Sequence, residues 1–476
     1  MSSNTDESEV IMLNENEIKN SSSKVKQYLA ALTVSFGAFA VGTVLSWTSV
    51  ALPYVTNNQQ NSAQDFPTFK ITHEEEALVG ALLTVGALVS AIPSGCLADK
   101  VGRKKAILIT MVPLLVNWGL ISYVSNTWLL LLARFIAGMG VGGYCVVAPM
   151  YLAEIADASC RGTFGSFFQL FICAGILFTC LLGPITTWTS LSLILAVVPG
   201  IFICIFLFQP ESPLYLIKKE RISDAEVTLR YLRGPRYQVK KELMVLQKDI
   251  EDSCQKSRSL KDILTTKRYK KSLIAVLGVL LFQQFSGINA LIFYTVPIFQ
   301  ASGSTLSPTL AAITVNIVQV LATYVSSLIV ERAGRKLYLF ISAAGMFLCL
   351  VTLATFFYVK SFNSEISQGL GLVPIISMVV FMASYSIGFG PIPWMLLGEL
   401  FAPEIKAVAT GVAILANWIF AFLVTFFFPI LNLKLGTHVT FYVFSCFMLV
   451  ALVFIRYVIP ESKGKSLMEI QKMLEN

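Results

Sequence analysis

Gly95-Cys96-Leu97-Ala98-Asp99-Lys100-Val101-Gly102-Arg103-Lys104-Lys105 decides the fold of this chain, because the chain writes it twice. Glu331-Arg332-Ala333-Gly334-Arg335-Lys336 repeats Asp99, Gly102, Arg103 and Lys104 at an offset of 232. Two further echoes follow in the same order. Glu154 and Arg161 stand seven apart, as do Glu399 and Lys406 (offset 245), and Pro210-Glu211-Ser212 returns as Pro460-Glu461-Ser462 (offset 250). Ordered echoes at nearly constant offset mean one half written twice. Each charged cluster lies just outside an apolar run, so the repeat is a membrane repeat, the layout of a two-halved secondary transporter.

Composition agrees. Of 476 residues, 55% are hydrophobic and 13% charged, where a soluble chain carries about 25% charged. Twelve apolar runs are long enough to cross a bilayer, which takes about 20 residues each. They fall near 28–53, 77–97, 106–124, 128–150, 163–183 and 190–208, then 271–299, 308–330, 337–359, 371–397, 407–430 and 439–459. The fold class is therefore an all-α membrane protein of twelve transmembrane helices in two six-helix halves. Its parts read as a polar tail (1–26), a first bundle (27–208), a linker (209–270), a second bundle (271–459) and a tail (460–476). With both termini in the cytoplasm, 32 Lys and Arg lie inside and three outside (Lys70, Lys360, Lys434), a strong positive-inside bias. That placement explains the net charge of +8 without nucleic acid. The expected location is the plasma membrane, the expected partners are lipid and a small solute, and no obligate protein partner is implied.

The linker reads as short cytoplasmic helices. Ser223-Asp224-Ala225-Glu226 has capping-box spacing and Gly234-Pro235 closes that helix. A second helix is expected through Glu242 to Ile250, a third from Ser259, and one more from Ser466 after the last span.

The charged clusters suit a breakable latch, in which carboxylates and guanidinium groups tie neighbouring helix ends together. Its members are Asp99, Arg103, Glu154, Arg161 and Glu211, with Glu331, Arg335, Glu399, Lys406 and Glu461 in the second half. Inside the bundle the polar residues are amides. Span seven carries Gln283, Gln284 and Asn289 within two turns; Gln283 and Asn289 are roughly 120° out of alignment, so a break near Gly287 is needed to bring all three together. Amides both donate and accept, which suits a neutral polyhydroxyl solute, and Gln169 in span five adds a fourth. The competing reading is interhelical glue, worth about 0.6 kcal/mol per bond on average. In span ten Gly390, Pro391 and Pro393 predict a hinge, with Trp394 beside it offering a flat apolar face and one N–H donor. Trp128 and Trp188, at span ends, read as interfacial belt residues.

Gly95 to Lys105, Arg134-Phe135-Ile136-Ala137-Gly138, Gln283 to Asn289, Gly390 to Trp394, Pro210 to Pro213 and Pro460 to Gly464 together resemble the sugar porter family of the major facilitator superfamily. The Trp47 to Pro53 stretch and Gly398-Glu399-Leu400 look most like insect facilitated trehalose transporters. The resemblance implies a sugar site at mid-membrane between the halves, and adds Asn417 and Trp418 of span eleven as a second polar–aromatic pair. Where the family has an Asn in span eight this chain has Gln319, with Asn316 one turn earlier. Lys406 replaces an Arg, Tyr385 stands where an aromatic is expected, and Ser386 stands where glucose-type members carry a Glu.

The family's proton symporters place an Asp in span one facing the Arg of span four. Here span one has no Asp, Glu or His, and Arg134 cannot act as the switch at its high pKa. Facilitated transport of a hexose or trehalose is the reading this supports; a proton symporter and a transporter-like sugar sensor are the alternatives. No metal site, cofactor or catalytic constellation is indicated, since His73 and His438 are isolated.

Overall fold

The structure, a computed structural model, describes residues 24–56, 69, 71–157, 160–235, 237–256, 260–303, 306–329, 334–363, 369–402, 404–463, 465, 469–470 and 472–473. The first half contains α1 (Val25–Thr56), α2 (His73–Val101), α3 (Arg103–Ser122), α4 (Thr127–Ile155), α5 (Arg161–Leu182) and α6 (Trp188–Phe206). Four short helices follow: α7 (Pro213–Lys218), α8 (Ile222–Arg233), α9 (Val239–Lys256) and α10 (Leu260–Thr265). The second half contains α11 (Lys267–Phe285), α12 (Ile288–Ser302), α13 (Pro308–Ile329), α14 (Arg335–Phe362), α15 (Val373–Ile387), α16 (Ile392–Leu400), α17 (Lys406–Leu435) and α18 (Thr437–Tyr457). Span seven is α11 plus α12 and span ten is α15 plus α16, so the helices make twelve membrane spans.

Local chemistry sets the ends. Thr72 and Glu75 form a reciprocal capping box at the start of α2. One residue, Gly102 (φ +100°), turns the chain from α2 into α3. In the linker, α8 begins at Ile222, one residue before the expected cap. Ser223 therefore lies inside the first turn, and Arg221 instead pairs with Asp224 at 2.7 Å. Gly234 (φ +96°) does end that helix. Ser259 and Ser466 lie outside the described residues.

Spans one and five, and spans two and four, pack backbone to backbone. A Cβ on Gly42 would sit 2.1 Å from the Ile172 carbonyl, and one on Gly138 2.0 Å from that of Leu83. Small residues are what allow such approach in a membrane, where burying apolar surface drives nothing. Trp188 is not a belt residue. It is buried, donates its indole N–H to Ile121 O at 3.0 Å and meets Trp47 edge to face. Trp128 is 79% exposed, as an interfacial residue would be.

The halves meet where span one packs on span seven, span two on span eleven and span five on span eight. Thr84 approaches Thr425 at 3.5 Å, Val296 N donates to Ser49 Oγ at 3.1 Å, and Asn316 donates to Cys180 Sγ at 3.0 Å. These bonds lie toward the end opposite the charged clusters, here called the far end; the other is the basic end. Gly165, one turn toward the basic end from Gln169 on the same face of α5, has open space around its Cα. On this face span five thus meets span eight toward the far end and is open at Gly165.

Candidate functional site

At the basic end each half builds the same charged knot. Arg103, 2% exposed, donates from Nε to both Glu154 oxygens at 3.0 Å, and from Nη1 to Ala98 O at 3.1 Å. Asp99 lies 3.0 Å from Nη1. Ser212 donates to the same Glu154 carboxylate. Glu211 accepts from the backbone N–H of Lys104 and Ser212 at 3.0 and 2.8 Å, where a carboxylate is favoured at a helix start. In the second half Arg335 binds Glu399 at 3.1 Å, Ser462 donates to Glu399 at 2.5 Å, and Glu461 accepts from Arg335 N and Lys336 N at 2.9 and 3.2 Å. Lys104 Nζ and Lys336 Nζ even cap matching carbonyls, Leu207 O and Arg456 O.

The approaching carboxylates explain the paired glycines. A Cβ on Gly102 or Gly334 would lie 2.2 Å from Glu211 or Glu461 Oε2. Each of these knots ties helix ends within one half. Lys406 opens α17 exposed. Arg161 opens α5, but its side chain, like Glu331, lies outside the described residues.

Mid-span, the break in span seven does bring amides together, though not all three. Gly287 adopts φ +83°, ending α11 and starting α12. Across that break Asn289 donates to Gln284 Oε1 at 2.6 Å, and Gln284 Nε2 donates to Asn417 Oδ1 at 2.8 Å. Gln283 turns the other way. Its Nε2 donates to Phe389 O at 2.6 Å and reaches the Tyr385 hydroxyl at 3.3 Å, joining the break in span ten. That break falls between Ile387 and Ile392, at Gly390 and Pro391, with Pro393 in the first turn of α16. Phe389 N is held by Ser342 Oγ at 3.2 Å.

Trp394 follows the break, 40% exposed, and Gly398 one turn on has open space beside it. Trp418 is half-buried against the core and Asn417 is buried. On α13, Asn316, Gln319 and Thr323 share the face toward span five. Asn316 meets Cys180, Thr323 meets Cys173 at 3.6 Å, and Gln319 Oε1 is buried without a partner among the described residues. Gln169 Nε2 reaches Cys173 Sγ at 3.7 Å. Sequence reasoning missed Cys173, Cys180 and Thr323 as members of this seam. Their only signal was heptad spacing on one helix face, which marks any packed seam.

Arg134 is fully buried and faces no carboxylate in its hydrogen-bond set. It donates to Val44 O at 3.2 Å, Val79 O at 3.4 Å and Thr48 Oγ1 at 2.8 Å, and lies 5.3 Å from the Trp47 ring. The guanidinium thus ties spans one, two and four inside the first half.

Comparison with known proteins places this geometry in context. A family model described as "Sugar (and other) transporter" matches residues 26–474. The chain is 36% identical over 449 residues to a facilitated trehalose transporter of Culex quinquefasciatus, covering 94% of this chain and 86% of that one. It is 35% identical over 469 residues to that of Apis mellifera ligustica, covering 98% and 92%. Against the Anopheles gambiae protein of the same name it spans 56% of the longer relative's length. The inward-open structure of the xylose transporter XylE from E. coli superposes with a TM-score of 0.77 at 22% identity, covering 94% of this chain and 99% of that one. A partially occluded inward-open form of the same transporter gives 0.76 at 23%, covering 92% and 99%.

Proposed function

We propose, for a chain that belongs to the sugar (and other) transporter family, that it carries a neutral sugar down its gradient by alternating access at the seam of its halves. One observation supports this most: the network of buried Gln284 and Asn417 with half-buried Asn289 stands at a helix break beside that seam. Amides at a broken helix can exchange partners with sugar hydroxyls without a change of charge. The middles of all twelve spans lack Asp, Glu and His, so no group there can bind and release a proton near neutral pH. Trehalose is the substrate we favour, because the relatives above are named for it.

The wider assignment follows the charge. The basic end faces the cytoplasm, both termini lie there, and the membrane is the plasma membrane. The two knots hold each half rigid while the seam opens and closes, and Gly390, Pro391 and Pro393 bend span ten.

The test is uptake of labelled trehalose and glucose by proteoliposomes holding the full chain. Sugar equilibrates with the outside concentration, and an imposed proton gradient leaves both the rate and the endpoint unchanged. Gradient-driven accumulation above the outside concentration would overturn the mechanism, and absence of any sugar uptake would overturn the function.

A further inference from the structure

We propose that an anionic phospholipid seats its headgroup on Lys267, Lys270 and Lys271, at the basic end of span seven, and lays an acyl chain over Ile274. Helix α11 opens with Lys267-Arg268-Tyr269-Lys270-Lys271, four cations in five residues, and its first turn holds no acid. At about 100° per residue, Lys267, Lys270, Lys271 and Ile274 fall on one face of the helix. Lys267, Lys270 and Ile274 are exposed, and Lys271 is half-buried. The opposite face, with Tyr269, Ser272, Leu273 and Val276, is buried in the bundle. The three lysines therefore point away from the protein, whatever the seam carries.

Other cations at this end are held by the protein itself. Arg103 and Arg335 sit in the knots, and Lys104 and Lys336 cap carbonyls. Arg221, Arg230 and Arg233 pair with Asp224, Glu226 and Glu242, while Lys26 and Lys219 lie over tyrosine rings. Among the described residues no carboxylate pairs with Lys267, Lys270 or Lys271. Like charges three and four residues apart destabilise a helix, and an anion between them removes that cost. Positive charge kept at one end of a span asks for no particular face. These three share one.

The surface beyond the lysines separates a lipid from a free phosphate. One turn along the same face Ile274 is exposed, and one turn further Gly278 is covered by span twelve. A Cβ there would lie 2.1 Å from the Phe454 ring. Span seven starts at the basic end and span twelve finishes there, so the two run antiparallel. The Gly278–Phe454 contact then sets Ile274 across from the turn of Tyr457 and Val458, both exposed. Cations for a headgroup thus lead straight into an apolar shelf between two spans. A phosphate meets the ammonium groups, and the chain joined to it covers Ile274 and Val458.

The experiment titrates the full chain, in neutral detergent, with dioleoylphosphatidylglycerol or dioleoylphosphatidylcholine and counts bound lipid by native mass spectrometry. Wild type binds the phosphatidylglycerol more tightly, each lysine beside the anionic headgroup being worth about fivefold in affinity. The triple variant Lys267→Gln, Lys270→Gln, Lys271→Gln therefore loses about a hundredfold. A control triple variant of exposed lysines on α9, Lys240→Gln, Lys241→Gln, Lys248→Gln, loses less than about threefold. Added salt narrows the difference between wild type and the α11 variant. Glycerol phosphate, which carries the anion without the chains, does not displace the lipid. If the α11 triple variant fails to insert, Lys270→Gln alone decides, with an expected loss of about fivefold. Equal affinity of wild type for the two lipids overturns the proposal, as does no loss in the α11 variant or an equal loss in the α9 variant. Displacement by glycerol phosphate would make this a free-phosphate site and overturn the lipid.

Discussion

Replacing Gln284 by alanine separates a sugar-binding network from interhelical glue, because the two roles predict different sizes of effect in different assays. A glutamine amide has two N–H donors and two acceptor lone pairs. In the structure one donor goes to Asn417 and one acceptor position is taken by Asn289. The protein therefore uses half of the group, leaving one donor and one acceptor for a hydroxyl of the solute. Alanine costs the fold two bonds, at about 0.6 kcal/mol each in a membrane, so roughly 1 kcal/mol in all. Such a variant still inserts and melts a few degrees early. The solute loses two neutral hydrogen bonds of about 0.5–1.5 kcal/mol each. Transport efficiency then falls by roughly 1–3 kcal/mol, about 5- to 150-fold. Initial rates in proteoliposomes, normalised to inserted protein, give kcat/KM, and melting of the same preparation gives stability. Asn417→Ala and the double variant complete a cycle in which the pair costs less than the sum by about 1 kcal/mol, because each single variant orphans the other amide. A Gln284→Ala protein that inserts and keeps kcat/KM within about twofold of wild type refutes the reasoning.

Three further outcomes follow from other parts of the molecule. Arg103→Leu strips the buried guanidinium from Glu154 and Asp99 and lowers stability by about 3–5 kcal/mol, whereas Arg221→Leu at the exposed Asp224 pair costs under about 1 kcal/mol; thermal unfolding in detergent compares them directly. Gly42→Leu drives a side chain into the Ile172 carbonyl and abolishes folded protein, while Gly165→Ala, with open space around it, inserts at wild-type level by surface labelling. Thr48→Val removes the hydroxyl acceptor of Arg134 and destabilises by about 1–3 kcal/mol, yet initial uptake stays flat from about pH 6 to about pH 8, since no mid-span group titrates there; a change beyond about threefold would point to a proton-linked step.

The architecture was legible because it is written in features that survive without coordinates. Apolar length gives the spans, and a motif repeated at an offset of 232 gives the halves. The knots were half legible. Charge and spacing picked out Arg103, Glu154, Arg335 and Glu399, but not that Glu211 and Glu461 would seat on backbone N–H groups where only glycine admits them. Gln283 shows the limit at the site. Two adjacent glutamines read as one cluster, yet a helix sends neighbours to different sides, and the free carbonyl of Phe389 at a break three spans away drew one of them off. Trp188 misled for a similar reason, since a tryptophan at a span end reads as belt until a partner such as Trp47 covers it. Packing partners far apart in sequence decided each miss.

The contrast in bond strength between the knots and the seam is what a rocking machine requires. Within each half, guanidinium groups, carboxylates and backbone N–H groups meet at 2.8–3.2 Å in charge-assisted bonds, roughly twice as strong as neutral ones. Between the halves, the bonds at spans one, two, five, seven, eight and eleven join hydroxyls, thiols and amides at 3.0–3.6 Å without a charge. A transition that kept the knots and broke the seam would exchange neutral bonds for others of similar strength at the basic end. Its two states would then differ by only a few kcal/mol, the range in which the differential affinity of a solute can shift the balance. Strong charged pairs across the seam would instead hold one state shut against a neutral sugar. Charge-assisted bonds inside the halves, with the described hydrogen bonds across the seam neutral, thus form an arrangement in which the transported molecule itself can move the equilibrium.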